Sequence, residues 1–209
     1  MDNYLLREML CPFVAAPLSE RDLFAISAYI DLLLRWNAKI NLTSIRDPRD
    51  IVRRHIGESL FAAEHLLDGR NATGRVVDVG SGAGFPGLPF KIYSPNVQLT
   101  MIESNHRKAS FLKEAIRTLH FENATVFVGR ADSFPGKGGL VTMRAVERFE
   151  KSVAVAASLV DDSSSAKLGL LIGQSQLDSA HILLPKFTRE PPIHIPDSES
   201  RLLLIAKRL

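Results

Sequence analysis

The residues Asp78-Val-Gly80-Ser-Gly82-Ala-Gly84-Phe-Pro-Gly87 set an acid and four glycines directly on the apolar run Val76 to Val79. Glycines after a strand let the backbone turn sharply and approach a ligand, and the next helix offers unpaired N–H groups. A purely structural turn needs fewer glycines than this. Two kinds of bound group suit such a loop. Gly82 to Gly87 matches the dinucleotide pattern G-x-G-x-x-G, which is weak evidence alone. The first glycine after the run is Gly80, however, so the loop reads acid-x-G-x-G-x-G. That is the nucleoside-binding form of enzymes that use S-adenosylmethionine, with Gly80 and Gly82 against the ligand. Pro86 favours this register, because a pyrophosphate would require an N–H there and proline has none.

Three later positions complete a candidate site. Glu103 closes the next apolar run, Val97 to Ile102, about twenty residues beyond the loop, where a carboxylate accepts hydrogen bonds from ribose hydroxyls. Its alternative is an acid favoured by a helix N-terminus. Ala131-Asp132 follows the run Ala124 to Val128 and suits contact with an adenine edge; for Asp132 a helix N-cap is the alternative. Arg144 ends the run Leu140 to Met143, at the carboxyl edge where α/β sheets bind ligands, and is the candidate catalytic residue, a surface arginine being the alternative. No Asn/Asp-Pro-Pro-aromatic motif follows this run, as methylation of an exocyclic amine would require. Cys11 lies far from these runs, which argues against a cysteine adduct on a pyrimidine. A ring nitrogen such as guanine N7 has a free lone pair and needs positioning more than a general base.

Strands must carry these residues. Leu168 to Ile172 is a fifth run, and the five alternate with segments able to form helices, which predicts a parallel sheet covered on both faces. The fold class is therefore α/β: a Rossmann-like class I methyltransferase with a mostly parallel sheet and an N-terminal helical extension. Ile182 to Leu184 and Leu202 to Ile205 are expected to add an antiparallel strand pair. The extension covers residues 1–70 and the S-adenosylmethionine-dependent domain 71–209. Within the extension, Ser19 with Asp22 predicts a helix start, followed by Leu23, Phe24, Ile26, Ile30, Leu33 and Leu34 near helical spacing. Asp47-Pro48 predicts another, running towards Asp68.

A hydrophobic fraction of 45% suits a globular chain with a full-sized core. The lone Cys11 cannot form an internal disulfide or a metal cluster, no apolar run could cross a bilayer, and the first residues lack a secretory layout. A cytoplasmic protein without metal or membrane partner is expected, acting as a monomer. The net charge of +3 favours polyanions only slightly. Its distribution says more: Arg35, Lys39, Arg46, Arg49, Arg53 and Arg54 face only Asp47 and Asp50, and Arg107, Lys108, Lys113 and Arg117 face only Glu114. Solvated helix faces are the alternative for both clusters.

With these residues in view, the sequence resembles the ribosomal RNA small-subunit methyltransferase G family, also called glucose-inhibited division protein B. Trp36-Asn-Ala-Lys-Ile-Asn-Leu-Thr43, with Ile45-Arg46 and Arg54-His55, is similar to its N-terminal signature. Gly80 to Pro89 is similar to its cofactor loop, and Lys108 to Leu112 and Arg144-Ala-Val146 continue the match. The resemblance implies methyl transfer from S-adenosylmethionine to N7 of a guanine in 16S rRNA, with that RNA or the small ribosomal subunit as partner. It implies cofactor contacts at Gly80, Phe85, Ala131, Asp132 and Arg144, with Glu103 on the ribose. His55 and the basic residues Lys39, Arg46, Arg49, Arg53 and Arg54 would lie on the RNA side. Gly57-Glu58 departs from the family's Leu/Ile-Asp pair, and residues 160–175 lack its Pro-Gly-Gly turn and following Lys-Gly, with Asp161 to Ser165 standing there instead. A methyltransferase for a small molecule, and a non-catalytic RNA-binding module, are the alternative readings.

Overall fold

The computed structural model describes residues 2–144 and 149–209; Ala145 and Val146 of the Arg144 motif lie outside the described residues. The chain begins with helices α1 (Asn3–Leu10) and α2 (Glu20–Asn37). Ser19 and Asp22 form the expected reciprocal cap: Ser19 Oγ accepts from the Asp22 N–H and the Asp22 carboxylate accepts from the Ser19 N–H. Such a cap stabilises a helix by about 1 kcal/mol. Leu23, Ile26, Ile30 and Leu33 form the buried stripe of α2. Phe24, expected on that stripe, is 73% exposed, because one residue beyond Leu23 is a rotation of about 100°.

Asp47 caps the next helix as expected, its Oδ1 accepting from the N–H groups of Arg49 and Asp50. That helix is a composite: α3 (Pro48–Ile51), a π-helical turn over Val52–Gly57, and α4 (Glu58–Leu66). In the turn the Glu58 N–H reaches back to the Arg53 carbonyl, five residues away. The turn changes which side chains and carbonyls face the sheet.

Five parallel strands follow, β1 (Arg75–Val79), β2 (Gln98–Glu103), β3 (Ala124–Val128), β4 (Leu140–Arg144) and β5 (Lys167–Gly173). Between or after them lie α5 (Gly87–Tyr93), α6 (His106–Thr118), α7 (Phe149–Ser158) and α8 (Leu177–Leu183). Strands β6 (Phe187–Arg189), β7 (Ile193–His194) and β8 (Arg201–Arg208) finish one eight-stranded sheet. Its order is β3-β2-β1-β4-β5-β8-β6, with β7 also on β8, and β8 runs antiparallel to β5. The expected closing strand at Ile182 to Leu184 is overturned: Ile182 and Leu183 end α8, and the partner of β8 is Phe187–Arg189. Burial explains the error. Ala180 and Leu184 are buried while Ile182 is 79% exposed, a four-residue spacing that belongs to a helix.

Strand residues alternate between two cores. Val76, Leu99, Leu140 and Leu203 face a cluster that also contains Leu6, Leu23 and Ile56, so the N-terminal helices share their core with the sheet. Val77, Ile102, Val141 and Leu202 face the other cluster, under α7 and α8. The divergent segment Asp161 to Ser165 precedes β5, at the amino edge of the parallel strands. Asp162 there pairs with Lys137 and Arg208. That part of the divergent stretch 160–175 lies at the far edge from the glycine loop, whereas its last residues end β5 at the carboxyl edge.

Candidate active site

The strand order reverses between β1 and its two neighbours, β2 and β4, and the carboxyl ends of these three strands carry the glycine loop, Glu103 and Arg144. Gly80, Gly82 and Gly84 have φ of 69°, 55° and 94°, a region that side chains resist, so the loop's path requires glycine there. The N–H groups of Gly80 and Ser81 donate to the Ile102 carbonyl at 2.9 and 3.0 Å, tying the loop to β2. Glu103 completes the tie: Oε2 accepts from the Gly82 N–H at 2.9 Å and Oε1 from the Asn105 N–H at 2.7 Å. Each of those oxygens keeps a second lone pair.

Asp78 lies fully buried beneath the loop. Its Oδ2 accepts from the Gly87 N–H at 3.3 Å and its Oδ1 from the Thr142 hydroxyl at 3.0 Å. Burial raises its pKa from the usual carboxylate range to about 6, although these hydrogen bonds oppose the shift. The start of α5 is thus occupied by a side-chain carboxylate, where a pyrophosphate would need the same donors. The loop suits a nucleoside and disfavours a dinucleotide.

Two cavities meet at this edge. The smaller, about 290 Å³, is lined by Gly80, Ile102, Glu103, Ala131 and Asp132, with Lys151 and Ser152 from α7. The larger, about 690 Å³, lies between the loop and the N-terminal segment, lined by Gly80, Gly82, Phe85, Thr43, Arg54, His55, Lys108, Arg144 and Arg201 among others. Gly80, Glu103 and Ser104 belong to both walls.

An aromatic and charged cluster forms the wall of the larger cavity. Phe85 packs between Tyr29, at 5.4 Å, and His55, stacked at 4.6 Å. Tyr29 donates its hydroxyl proton to the Ala83 carbonyl, holding α2 against the loop. His55 Nε2 lies 2.7 Å from Thr43 Oγ1, and burial, reinforced by Arg144, lowers its pKa to about 3, so it is neutral. Arg144 is only 7% exposed, which overturns the surface alternative. Its guanidinium lies 6.0 Å from the Phe85 ring centre, and it donates to the carbonyls of Arg54 and His55, which the π-helical turn presents. Glu58 holds it at 2.9 Å and also holds Arg201 at 3.2 Å. Burial lowers the Arg144 pKa to about 10, with Glu58 opposing.

The expected cofactor residues therefore divide between two adjoining spaces. Gly80, Glu103, Ala131 and Asp132 meet in the smaller cavity; Gly80, Gly82, Phe85, Glu103 and Arg144 meet in the larger. Asp132 lies in a short 3₁₀ turn, Ala131–Ser133, which excludes the N-cap alternative, and pairs with Arg130 at 2.6 Å. Glu103 ends a strand two residues before Asn105, the cap of α6, and its carboxylate faces both the glycine loop and that helix start. Among the expected RNA residues, Arg54 and His55 line the larger cavity, whereas Lys39, Arg46, Arg49 and Arg53 are exposed outside it. Two site residues went unassigned from sequence: Arg201, at the start of β8, and Glu58, visible only as a departure from a family pattern.

Comparison with known structures assigns the class first. The fold matches a ribosomal protein L11 methylase from Lactobacillus delbrueckii subsp. bulgaricus with a TM-score of 0.61, at 12% identity over 75% of this chain and 80% of that one. It matches TYW2 from M. jannaschii in complex with AdoMet equally well, TM-score 0.61, at 17% identity over 82% and 80% of the two chains. The fold is that of a class I methyltransferase. At the sequence level, the profile of GidB, rRNA small subunit methyltransferase G, matches residues 22–183. A ribosomal RNA small subunit methyltransferase G from Chloroflexus aggregans is 34% identical over 206 residues, 92% of this chain and 84% of the relative. Another, from Xanthomonas euvesicatoria pv. vesicatoria, is 39% identical over 139 residues, 66% of this chain; the match spans 63% of that relative's length. The chain belongs to the rRNA small subunit methyltransferase G family.

Proposed function

We propose that this protein methylates N7 of a guanine in bacterial 16S rRNA, using S-adenosylmethionine. One observation carries the reading: two cavities share the wall Gly80–Glu103–Ser104, and the larger is bordered by the N-terminal segment that carries Arg54 and His55. A nucleoside fits the smaller cavity, with Glu103 at the strand end for ribose hydroxyls and Ala131 and Asp132 at its far side. Gly80, Gly82, Phe85 and Arg144 would hold the remainder of the cofactor. When bound, S-adenosylmethionine supplies a methyl group on a sulfonium that a lone pair can displace.

The residues around the larger cavity do the rest by position. A guanine turned out of its stack presents the N7 lone pair, and no proton has to leave before attack. His55, neutral and stacked on Phe85, lines this cavity where a base would enter, while Arg54 and Lys108 stand where its backbone would pass. The nearby pairing of Arg144 with Glu58 fixes a charge without reorganisation during the reaction. The same reading has the protein working in the cytoplasm as a monomer.

The test uses small ribosomal subunits from cells lacking the modification, with labelled S-adenosylmethionine and chemical cleavage at 7-methylguanine. One methylated guanine, absent with heat-inactivated protein, is the expected result. Label on a pyrimidine or an exocyclic amine, or no label on subunits or naked RNA, overturns the proposal.

A further inference from the structure

Glu58 begins α4 directly after the π-helical turn and is 3% exposed. A single oxygen, Oε2, pairs with Arg144 and with Arg201. These arginines come from β4 and β8, two strands separated in the sheet by β5. Both line the larger cavity, and Arg54 adds a third cation to its wall. Two guanidinium groups share one carboxylate and Arg54 stands by unpaired among the described residues, so the cluster carries a surplus of positive charge towards the cavity. Each guanidinium has five N–H donors, more than these contacts use.

Local packing fixes where the carboxylate stands. A Cβ on Gly57 would lie 2.6 Å from Phe13 Cδ2, so only a bare backbone lets the Phe13 ring close on the turn. Gly57 and Glu58 are thus one arrangement: the ring seats the turn, and the turn delivers the carboxylate between two strands. Both partners of this carboxylate stand on the wall of a ligand-sized space.

We propose that Glu58 is a positioning residue, holding Arg144 and Arg201 as a paired guanidinium seat for one anionic oxygen group in the larger cavity. Two sources share that chemistry: the carboxylate of the cofactor's amino-acid end and a phosphate of the target nucleotide. The inference rests on the methyl-transfer reading above, and paired arginines bind such groups in a directional, two-pronged manner.

The test compares wild type with Glu58→Gln, which keeps shape and loses charge, and Glu58→Asp, which keeps charge. Calorimetry measures S-adenosylmethionine binding, filter binding measures small subunits, and steady-state assays separate kcat from KM. Side-chain ¹⁵N spectra report rotation of the Arg144 and Arg201 guanidinium groups. In Glu58→Gln both arginine signals should lose their restraint, and either cofactor affinity or subunit KM should worsen by about ten- to a hundredfold. The arm that moves names the source. Glu58→Asp should recover part of the loss, which a mere folding defect would not allow. If Glu58→Gln is too unstable to purify, Arg201→Gln, on the half-buried partner, must produce the same selective loss. Unchanged arginine spectra, or unchanged cofactor and subunit parameters in a folded variant, overturn the proposal. Wild type that binds cofactor but methylates nothing overturns the functional reading instead, and the spectra and binding arms still judge Glu58.

Discussion

Asp78 and His55 are buried titratable groups whose protonation moves stability in opposite directions. The folded state raises the Asp78 pKa to about 6, so between about 4 and 6 the folded protein binds more protons than the unfolded chain. Stability from this group therefore falls as pH rises through that window. His55 is the reverse: with a folded pKa near 3, its neutral form is held below the ordinary value, and stability is lost as pH drops from 6.5 towards 3. Each acts with a slope of roughly 1 kcal/mol per pH unit, and the two nearly cancel between pH 4 and 6. Urea titrations should show that His55→Gln gains stability relative to wild type as pH falls below 6.5. Asp78→Asn should gain relative to wild type as pH rises from 4 to 6. Parallel curves for wild type and either variant would contradict the burial assigned to that residue. Glu103 makes a different prediction, because it both ties the loop and borders the nucleoside space. Glu103→Ala should weaken S-adenosylmethionine binding by about 1–3 kcal/mol through lost charged hydrogen bonds. Calorimetry showing unchanged affinity, with the fold intact, removes Glu103 from the site.

At the scale of elements, the π-helical turn decides how the N-terminal helices meet the sheet. Gly57→Leu should drive a side chain into the Phe13 ring and destabilise the protein by about 1–3 kcal/mol, as overpacking does. Phe13→Ala in the same chain should relieve much of that loss. If the urea midpoint of Gly57→Leu equals that of wild type, the ring is not seated against the turn. Most strands were legible in the sequence because buried parallel strands read as short apolar, β-branched runs between turn residues, as β1 and β4 do. The caps at Ser19 and Asp47 were legible because their hydrogen bonds are local. Ile182 to Leu184 misled because three apolar residues fit either period, and only the buried Ala180 and Leu184 distinguish them. The π-helical turn left no local signature, and the residues it meets, Phe13 and Arg144, are far away in sequence. For the same reason the glycine loop and Glu103 could be named in advance while the Glu58–Arg201 contact could not: 143 residues separate that pair.

Over the whole molecule, some cations already hold a carboxylate and others do not among the described residues. Arg7, Arg70, Arg75, Arg130 and Lys137 each hold a carboxylate. Arg144 and Arg201 on the larger cavity share Glu58, but the cations flanking that cavity do not. Arg46, Arg49, Arg53 and Arg54 on one side, and Arg107, Lys108 and Lys113 on the other, have no ion pair recorded among the described residues. Bonding to the fifth residue in the π-helical turn brings positions four and five apart onto one side, so Arg49, Arg53 and Arg54 can form a single exposed stripe beside the cavity that Arg54 lines. Like charges gathered without compensation repel one another, and a polyanion relieves that repulsion while releasing its own counterions. Such a stripe would contact phosphates and set the register of the RNA, leaving the choice of base to the cavity. Arg49→Glu combined with Arg53→Glu should therefore weaken binding to small subunits. The slope of log affinity against log salt should become shallower by about 1.4 to 1.8, the contribution of two phosphate contacts. Cofactor affinity should stay at the wild-type value, since neither residue lines either cavity. Wild-type affinity and slope in the double variant would make this stripe a solvated face. The RNA path would then have to run over α6, and the same reversal at Arg107 and Lys113 should produce the loss.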